Sequence, residues 1–84
     1  MKLAVHSVPL GDVEDPEVYA AEPIMHWEKT EQGQWLHEHS TQHMEFIIRA
    51  NERTYGWKVI IFAWLEGADL TYYNLKWGDK IWQH

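Results

Sequence analysis

Three of the six histidines lie close together in the sequence, and their spacing suggests metal binding. His39 and His43 are four residues apart, which lets two imidazoles bind one ion from a single helical turn, and His37 lies two residues upstream. The His-Glu-x-x-His pattern of zinc proteases does not occur, because Glu38 precedes His39 and Ser40 follows it. A zinc site at His37, His39 and His43 is therefore one alternative hypothesis, and exposed histidines at a helix end are the other interpretation.

Aromatic side chains are abundant in this chain, which has six tryptophans, four tyrosines and two phenylalanines among 84 residues. A domain of this size has a small core, so we expect some rings to be exposed, where Trp and Tyr anchor protein–protein contacts. Alternatively, a small domain without disulfides uses large rings to fill its core. The predicted binding surface combines exposed rings with nearby acids: Trp27, Trp35, Trp64, Tyr72 and Trp82, with Glu28 and Glu31.

Charge is distributed unevenly along the chain, whose net charge is −6 at pH 7. Residues 1–40 hold eight acidic and two basic side chains, whereas residues 41–84 hold five of each. A neutral aromatic half lacks the basic groove that nucleic-acid binding requires. A second alternative hypothesis is that spaced carboxylates imitate nucleic-acid phosphates and inhibit a DNA-binding protein. The carboxylates concerned are Glu14, Asp15, Glu17, Glu22, Glu28 and Glu31.

The sequence contains no motif for catalysis. The absence of cysteine excludes disulfides, thiolate metal sites and cysteine nucleophiles. The chain has no glycine-rich phosphate loop and no Gly-x-Ser-x-Gly turn, and its only serines are Ser7 and Ser40. We therefore predict a protein that is not an enzyme and needs no cofactor. Because there is no run of about 18 apolar residues and no secretory leader, we also predict a cytoplasmic protein without membrane contact.

The first half of the chain predicts one strand and one main helix. Residues 1–8 alternate loosely between apolar and polar, which is typical of an edge strand. Asp15-Pro16-Glu17 has the residue types of a helix start, and Pro23 is expected to break or restart that helix. Residues 23–39 fit either a helix with one aromatic stripe or a hairpin that turns at Gly33, a residue that is costly inside a helix. We favour the helix, since β-branched residues are nearly absent there.

The second half of the chain predicts three strands, at residues 43–50, 55–65 and 70–77. Short polar turns join them, which is typical of antiparallel pairing. The middle strand is apolar on both faces. One face carries Trp57, Val59, Ile61, Ala63 and Leu65, and the other carries Ile60, Phe62 and Trp64. One face therefore needs the helix as cover, and the other needs the N-terminal segment or a second copy of the chain.

These elements predict an α+β fold: a three- to four-stranded antiparallel sheet with one main helix packed on one face. The length, together with the absence of repeats and linkers, indicates a single domain, residues 1–84. A strand that is apolar on both faces in so short a chain also predicts a homodimer, which covers one sheet face or a strand edge.

One further pattern covers residues 16–77. It consists of Glu22-Pro23-Ile24, Trp27, Thr30-Glu31, Gly33, Trp35 and His39, then Thr54-Tyr55-Gly56, Thr71-Tyr72-Tyr73 and Leu75-Lys76. In these positions the chain resembles small uncharacterised proteins of contractile-tailed phages, including those of marine cyanobacteria. The resemblance implies a phage-encoded protein in the cytoplasm of the infected host, either a host-takeover factor or a minor structural component, and it transfers no functional residue. We expect a non-enzymatic accessory factor that binds another protein, with a host target as the partner.

Overall fold

A computed structural model describes residues 1–53 and 55–81, with side chains as far as Gly78. The elements are β1 (Lys2–Gly11), α1 (Pro16–Glu28), α2 (Glu31–His39), β2 (Glu45–Ala50), β3 (Trp57–Trp64) and α3 (Gly67–Ile81). The strands form one antiparallel sheet in the order β1-β3-β2. The predicted α+β fold with a three-stranded antiparallel sheet is therefore confirmed, and the described residues form three helices.

β3 is the central strand, as its apolar pattern predicts. Val59, Ile61 and Ala63 are fully buried on one of its faces, and Leu65 continues this row beyond the strand. The residues between them, Ile60, Phe62 and Trp64, are half-buried on the opposite face. We call this second face the open face. The alternation places the core on one side of the sheet only.

All three helices cover the same face of the sheet. One cluster of buried side chains joins the strands to every helix, so the protein consists of two layers. The cluster contains Leu3, Val5, Ile61, Ala63 and Leu65 from the sheet side, Trp27 from α1, Leu36 from α2, and Tyr73 and Trp77 from α3.

The third strand of the sheet is the N-terminal segment and not residues 70–77. β1 lies at the edge of the sheet, as predicted, and pairs with β3. The predicted strand at residues 70–77 is wrong, because this segment belongs to α3. Leu70, Tyr73 and Trp77 follow helical spacing and all three pack in or against the core. The β-prone Thr71-Tyr72-Tyr73 composition favoured a strand, but burial along a helical stripe decides the structure.

α1 begins at Pro16 as predicted and runs through Pro23 without ending. The predicted break at Pro23 is therefore wrong. Proline has no backbone N–H to donate a hydrogen bond to the carbonyl of the preceding helical turn. However, Ala20 and Trp27, on either side of Pro23, are both buried, and tertiary packing of this kind supplies most of the stability of a helix in a protein.

Residues 23–39 contain the end of α1 and the whole of α2, so the helical interpretation is confirmed and the hairpin is wrong. Thr30 separates the two helices and caps α2: its hydroxyl accepts a hydrogen bond from Gly33 N (3.1 Å) and donates one to Trp27 O (2.6 Å). Gly33 lies in the first turn of α2 directly against the end of α1. A Cβ there would be 2.2 Å from Trp27 O, so only glycine allows this close approach.

Candidate protein-binding site

The structure separates the rings that were predicted to form one surface. Trp27 is only 5% exposed and belongs to the core, so the prediction that its ring is exposed is wrong. Trp35 and Tyr72 lie together, with ring centroids 5.2 Å apart. Trp64 lies elsewhere, on the open face. Trp82 falls outside the described residues.

Trp35 and Tyr72 are the centre of a surface between α2 and α3. On α2, Glu31, Trp35 and His39 follow one another at intervals of four residues, and on α3 Tyr72 and Lys76 have the same interval. Residues four apart lie on the same face of a helix. The two helices therefore present facing rows, and we call these five residues the α2–α3 patch.

Ring stacking organises the apolar part of the patch. The indole of Trp35 stacks on Tyr72 from one helix and on His39 from its own, with a centroid distance of 4.3 Å to His39. His39 also donates from Nδ1 to the backbone carbonyl of Trp35 (2.7 Å). Tyr72 is 46% exposed, whereas Trp35 is half-buried. A partner would therefore contact the edge of a stack whose inner ring is already fixed.

The charged part of the patch is an ion pair that joins the two helices. Lys76 Nζ donates to the carboxylate of Glu31. The same ammonium lies 4.9 Å from the ring centroid of Trp77 and 5.8 Å from that of Tyr72. The hydrogen bond to Glu31 raises the pKa of Lys76, so this side chain stays cationic at neutral pH.

The floor of the patch is part of the core. Trp35 contacts Trp77 and Tyr73, with centroids 5.5 and 6.2 Å away, and Tyr73 is fully buried. Gln32 connects two buried rings through its side-chain amide. Its Nε2 donates a hydrogen bond to the Tyr73 hydroxyl (3.0 Å), and its Oε1 accepts one from Trp27 Nε1 (3.3 Å). A floor held by packing and hydrogen bonds keeps the exposed rings preorganised.

Two members of this surface, His39 and Lys76, are not among the binding residues that the sequence predicts. A strand over residues 70–77 would also put Tyr72 and Lys76 on one face, but about 13 Å apart, whereas one turn of α3 brings them together. The apolar residues Leu70, Tyr73 and Trp77 follow the spacing of one helix face, and this is the sequence pattern that indicates the helix. In the structure all three pack in or against the core. His39 was considered only as a metal ligand.

The remaining predicted binding residues lie away from the patch or at its margin. Glu28 is half-buried at the end of α1. Trp64 lies on the open face, where the Lys2 ammonium is 5.4 Å from its ring centroid and 4.6 Å from that of Phe62. The Trp64 backbone also anchors the loop after α2, since its amide donates to Ser40 Oγ (3.0 Å) and its carbonyl accepts from Thr41 N (2.8 Å).

The structure does not group His37, His39 and His43 as one set of metal ligands. Among residues 1–53 and 55–81, no three His, Asp or Glu side chains are arranged to hold a metal ion. His39 is stacked on Trp35 in the α2–α3 patch, whereas His37 and His43 line a shallow pocket around the loop of residues 40–44. The three side chains are not grouped because α2 ends at His39, so His43 is not one helical turn further along the same face.

In the part of the chain that the structure describes, no helix has both the length and the apolar character needed to cross a bilayer. Comparisons with protein-family models, with curated proteins and with solved structures find no match to this chain.

Proposed function

We propose that this chain is a non-enzymatic protein-binding factor and that the α2–α3 patch is its binding site. The observation that carries the proposal is the half-exposed stack of Tyr72 on Trp35 beside the Glu31–Lys76 ion pair. Protein-binding hot spots have this anatomy: aromatic anchors at the centre and charged groups at the rim.

The arrangement of the patch favours binding over catalysis. Its polar groups are engaged with each other, since Lys76 pairs with Glu31 and the His39 Nδ1 bonds to a backbone carbonyl. Ser40, which follows α2, uses its hydroxyl to hold the loop: it donates to Gln42 O (2.7 Å) and accepts from Trp64 N. These groups hold helices and a loop in place, and the ring edge of Tyr72 remains for a partner.

The resemblance to phage proteins indicates which partner to test first. A phage-encoded accessory factor acts in the cytoplasm of its host, so the proposed partner is a host protein. We expect binding through ring burial, which depends weakly on salt, because the two charges of the patch already neutralise each other.

The test is capture from a host lysate with the immobilised wild-type protein and two matched variants. Tyr72→Ala removes the exposed ring of the patch, and Trp64→Ala removes a half-buried ring from the open face. We expect a protein that wild type and Trp64→Ala retain and that Tyr72→Ala loses. With that protein purified, truncating an anchor should cost about 2 kcal/mol, or about 30-fold in Kd.

Two results would contradict the proposal. If wild type and Tyr72→Ala bind the partner with equal affinity, the α2–α3 patch is not the binding site. If only Trp64→Ala loses the partner, the binding site lies on the open face. The acidic-mimic hypothesis makes a third prediction. A combined Glu14, Glu17, Glu28 and Glu31→Gln variant should then lose a basic partner, and wild-type binding should fall steeply between about 50 and 300 mM salt.

A further inference from the structure

The two edges of the sheet differ in how well they are protected against pairing with another strand. β1, at one edge, contains Pro9 and has register shifts between Ala4 and His6 and between Pro9 and Gly11. Proline and bulges are the usual devices that prevent edge-to-edge association. β2, at the other edge, pairs with β3 in unbroken register and contains neither device. Its central residues, Phe46-Ile47-Ile48, are all apolar.

Among the described residues, no strand or backbone group pairs with β2 along the edge that faces away from β3. Asn51 N donates to Gly56 O (3.0 Å), in the same register that pairs β2 with β3. Directly opposite residues that share such a bond alternate with residues that do not. The amides and carbonyls of Phe46, Ile48 and Ala50 therefore point away from β3, toward the free edge.

The side chains beside this edge are also incompletely covered. Phe46 is 41% exposed, although it points to the face on which the helices pack. It lies with Ile48 at a groove between α1 and β2, whose lining includes Ala20, Ile24 and Val59. Apolar groups on both sides of an unprotected edge indicate an interface.

The charges on β2 indicate which charges a strand that pairs with its free edge must carry. Arg49 lies directly opposite Lys58 in β3, and like charges in that position are unfavourable. Among the described residues no carboxylate lies within ion-pair distance of Arg49. Glu45, at the other end of β2, contacts Lys2 at 3.5 Å. Glu45 and Arg49 are therefore opposite charges at the two ends of one short strand, on the open face.

We propose that β2 is the interface for a second copy of this chain, whose β2 pairs with it in antiparallel orientation. With Ile47 opposite the partner's Ile47, Glu45 lies opposite the partner's Arg49, and Arg49 lies opposite the partner's Glu45. Phe46 then pairs with the partner's Ile48 through the free backbone groups. These pairs alternate correctly between hydrogen-bonded and non-bonded positions. The two sheets become one, and neither copy keeps its unprotected edge.

This interface is separate from the α2–α3 patch, which lies on α2 and α3. The first measurement is the mass of the full-length wild-type protein by sedimentation equilibrium, at concentrations from about 5 to about 200 µM. We expect a concentration-dependent dimer. Tyr72→Ala, which alters only the patch, should leave that equilibrium unchanged. A monomer throughout this range would overturn the proposal.

Two single charge reversals test the register. Arg49→Glu places a carboxylate opposite Lys58 within the same chain, so the fold should be as stable as wild type or more stable. In the dimer, however, that carboxylate faces the partner's Glu45, and the same repulsion occurs twice. Glu45→Lys produces the reverse case, with a cation facing the partner's Arg49. We expect each variant to weaken dimerisation by at least about 10-fold.

Mixing the two variants gives the decisive result. One Arg49→Glu chain paired with one Glu45→Lys chain has opposite charges at both ends of the interface. We expect the mixture to dimerise about as well as wild type, with the heterodimer identified by native mass spectrometry. Variants that dimerise like wild type would overturn the edge interface. If each variant alone dimerises weakly and the mixture forms no stronger heterodimer, the proposed register is wrong.

Discussion

Two groups of aromatic residues lie side by side in this protein, with the Trp35 and Tyr73 ring centroids 6.2 Å apart, and they differ in burial. Trp27 and Tyr73 are buried, and Gln32 connects them through hydrogen bonds to the indole N–H and the phenolic oxygen. Trp35 and Tyr72 lie one layer further out and contact each other by stacking. The polar atoms of the inner pair all have partners within the protein, whereas the outer pair has an exposed ring edge.

In the inner pair, burial of the rings is accompanied by hydrogen bonds for their polar atoms. A buried indole N–H or phenol costs free energy unless it is hydrogen-bonded. In the described residues, no buried side-chain nitrogen or oxygen lacks a partner. Gln32 is therefore the residue that allows two large amphipathic rings into so small a core. The inner group should determine stability, and the outer group should determine binding.

The largest expected effect is that of Trp27→Ala. This change removes a buried ring, its stacking on His6 at 5.4 Å, and its hydrogen bond to Gln32. Loss of a buried Trp costs about 3–5 kcal/mol, which is a large share of the stability of a small domain. Urea unfolding followed by circular dichroism measures the cost. A loss below about 1 kcal/mol would mean that Trp27 does not belong to the core.

Gly33→Ala should have the next largest effect, because α2 packs on the last turn of α1 through this glycine. The added Cβ would meet backbone atoms, Trp27 O at 2.2 Å and Glu28 Cα at 2.8 Å, which cannot move as a flexible side chain can. We expect a loss of about 2–3 kcal/mol, as for overpacked cores.

Gly78→Ala is the matched control for Gly33→Ala. Among the described residues, a Cβ at this position in α3 meets only Asn74 Cβ at 3.9 Å, an ordinary contact. Alanine is also the better helix former by about 1 kcal/mol. This variant should be as stable as wild type or more stable. Equal losses for the two variants in urea unfolding would contradict the close approach of α1 and α2.

Tyr73→Phe removes one hydrogen bond from the inner group, and its effect should depend on pH. In the variant, Gln32 Nε2 no longer donates to the phenol but still donates a hydrogen bond to Val5 O (3.4 Å). We therefore expect the free energy of unfolding to fall by about 1 kcal/mol at neutral pH. Burial raises the pKa of Tyr73 above its usual value of 10.0. The unfolded chain therefore loses this proton first, and wild-type stability falls as the pH rises above about 10.

Phenylalanine has no proton to lose, so the variant lacks this part of the alkaline decline. The difference in unfolding free energy between wild type and variant should shrink between about pH 8 and about pH 11. Titration of exposed tyrosines and lysines affects both proteins equally. A difference that stays constant over this range would contradict the buried state of the Tyr73 hydroxyl.

The smallest effects on stability should come from the outer group. Tyr72→Ala removes a half-exposed ring and should cost less than about 1 kcal/mol. Glu31→Gln breaks an exposed ion pair with Lys76 and should cost less than about 0.5 kcal/mol. Both are measured by urea unfolding. If Tyr72→Ala destabilises as much as Trp27→Ala, the outer group is part of the core and cannot serve as a preformed binding site.

The elements that could be predicted from the sequence are those that short-range chemistry specifies. The start of α1 at Pro16 and the strand β3 were predicted correctly because short-range chemistry specifies them. Asp15 and Pro16 suit the first turn of a helix, and a continuous apolar run suits a central strand. Pro23 and residues 70–77 were mispredicted because local preference is weak, and burial of a helical face outweighs it.

The candidate site was predicted in part. Trp35, Tyr72 and Glu31 were chosen by residue type, and the structure brings these three together with Lys76. Nothing in the local sequence distinguishes Trp27 from Trp35, since both lie in polar helical segments. The sequence therefore could not show which indole would be buried.

The sequence by itself determined what each short segment can form: a loosely alternating edge strand, a helix that begins at Asp15-Pro16, and a strand with two apolar faces. These properties depend on backbone sterics and on the period of the side chains, which act within a few residues. The tertiary structure decided which of those faces is covered and which rings are exposed. It did so because burial depends on contacts between distant residues, such as Gln32 with Tyr73 and Glu31 with Lys76.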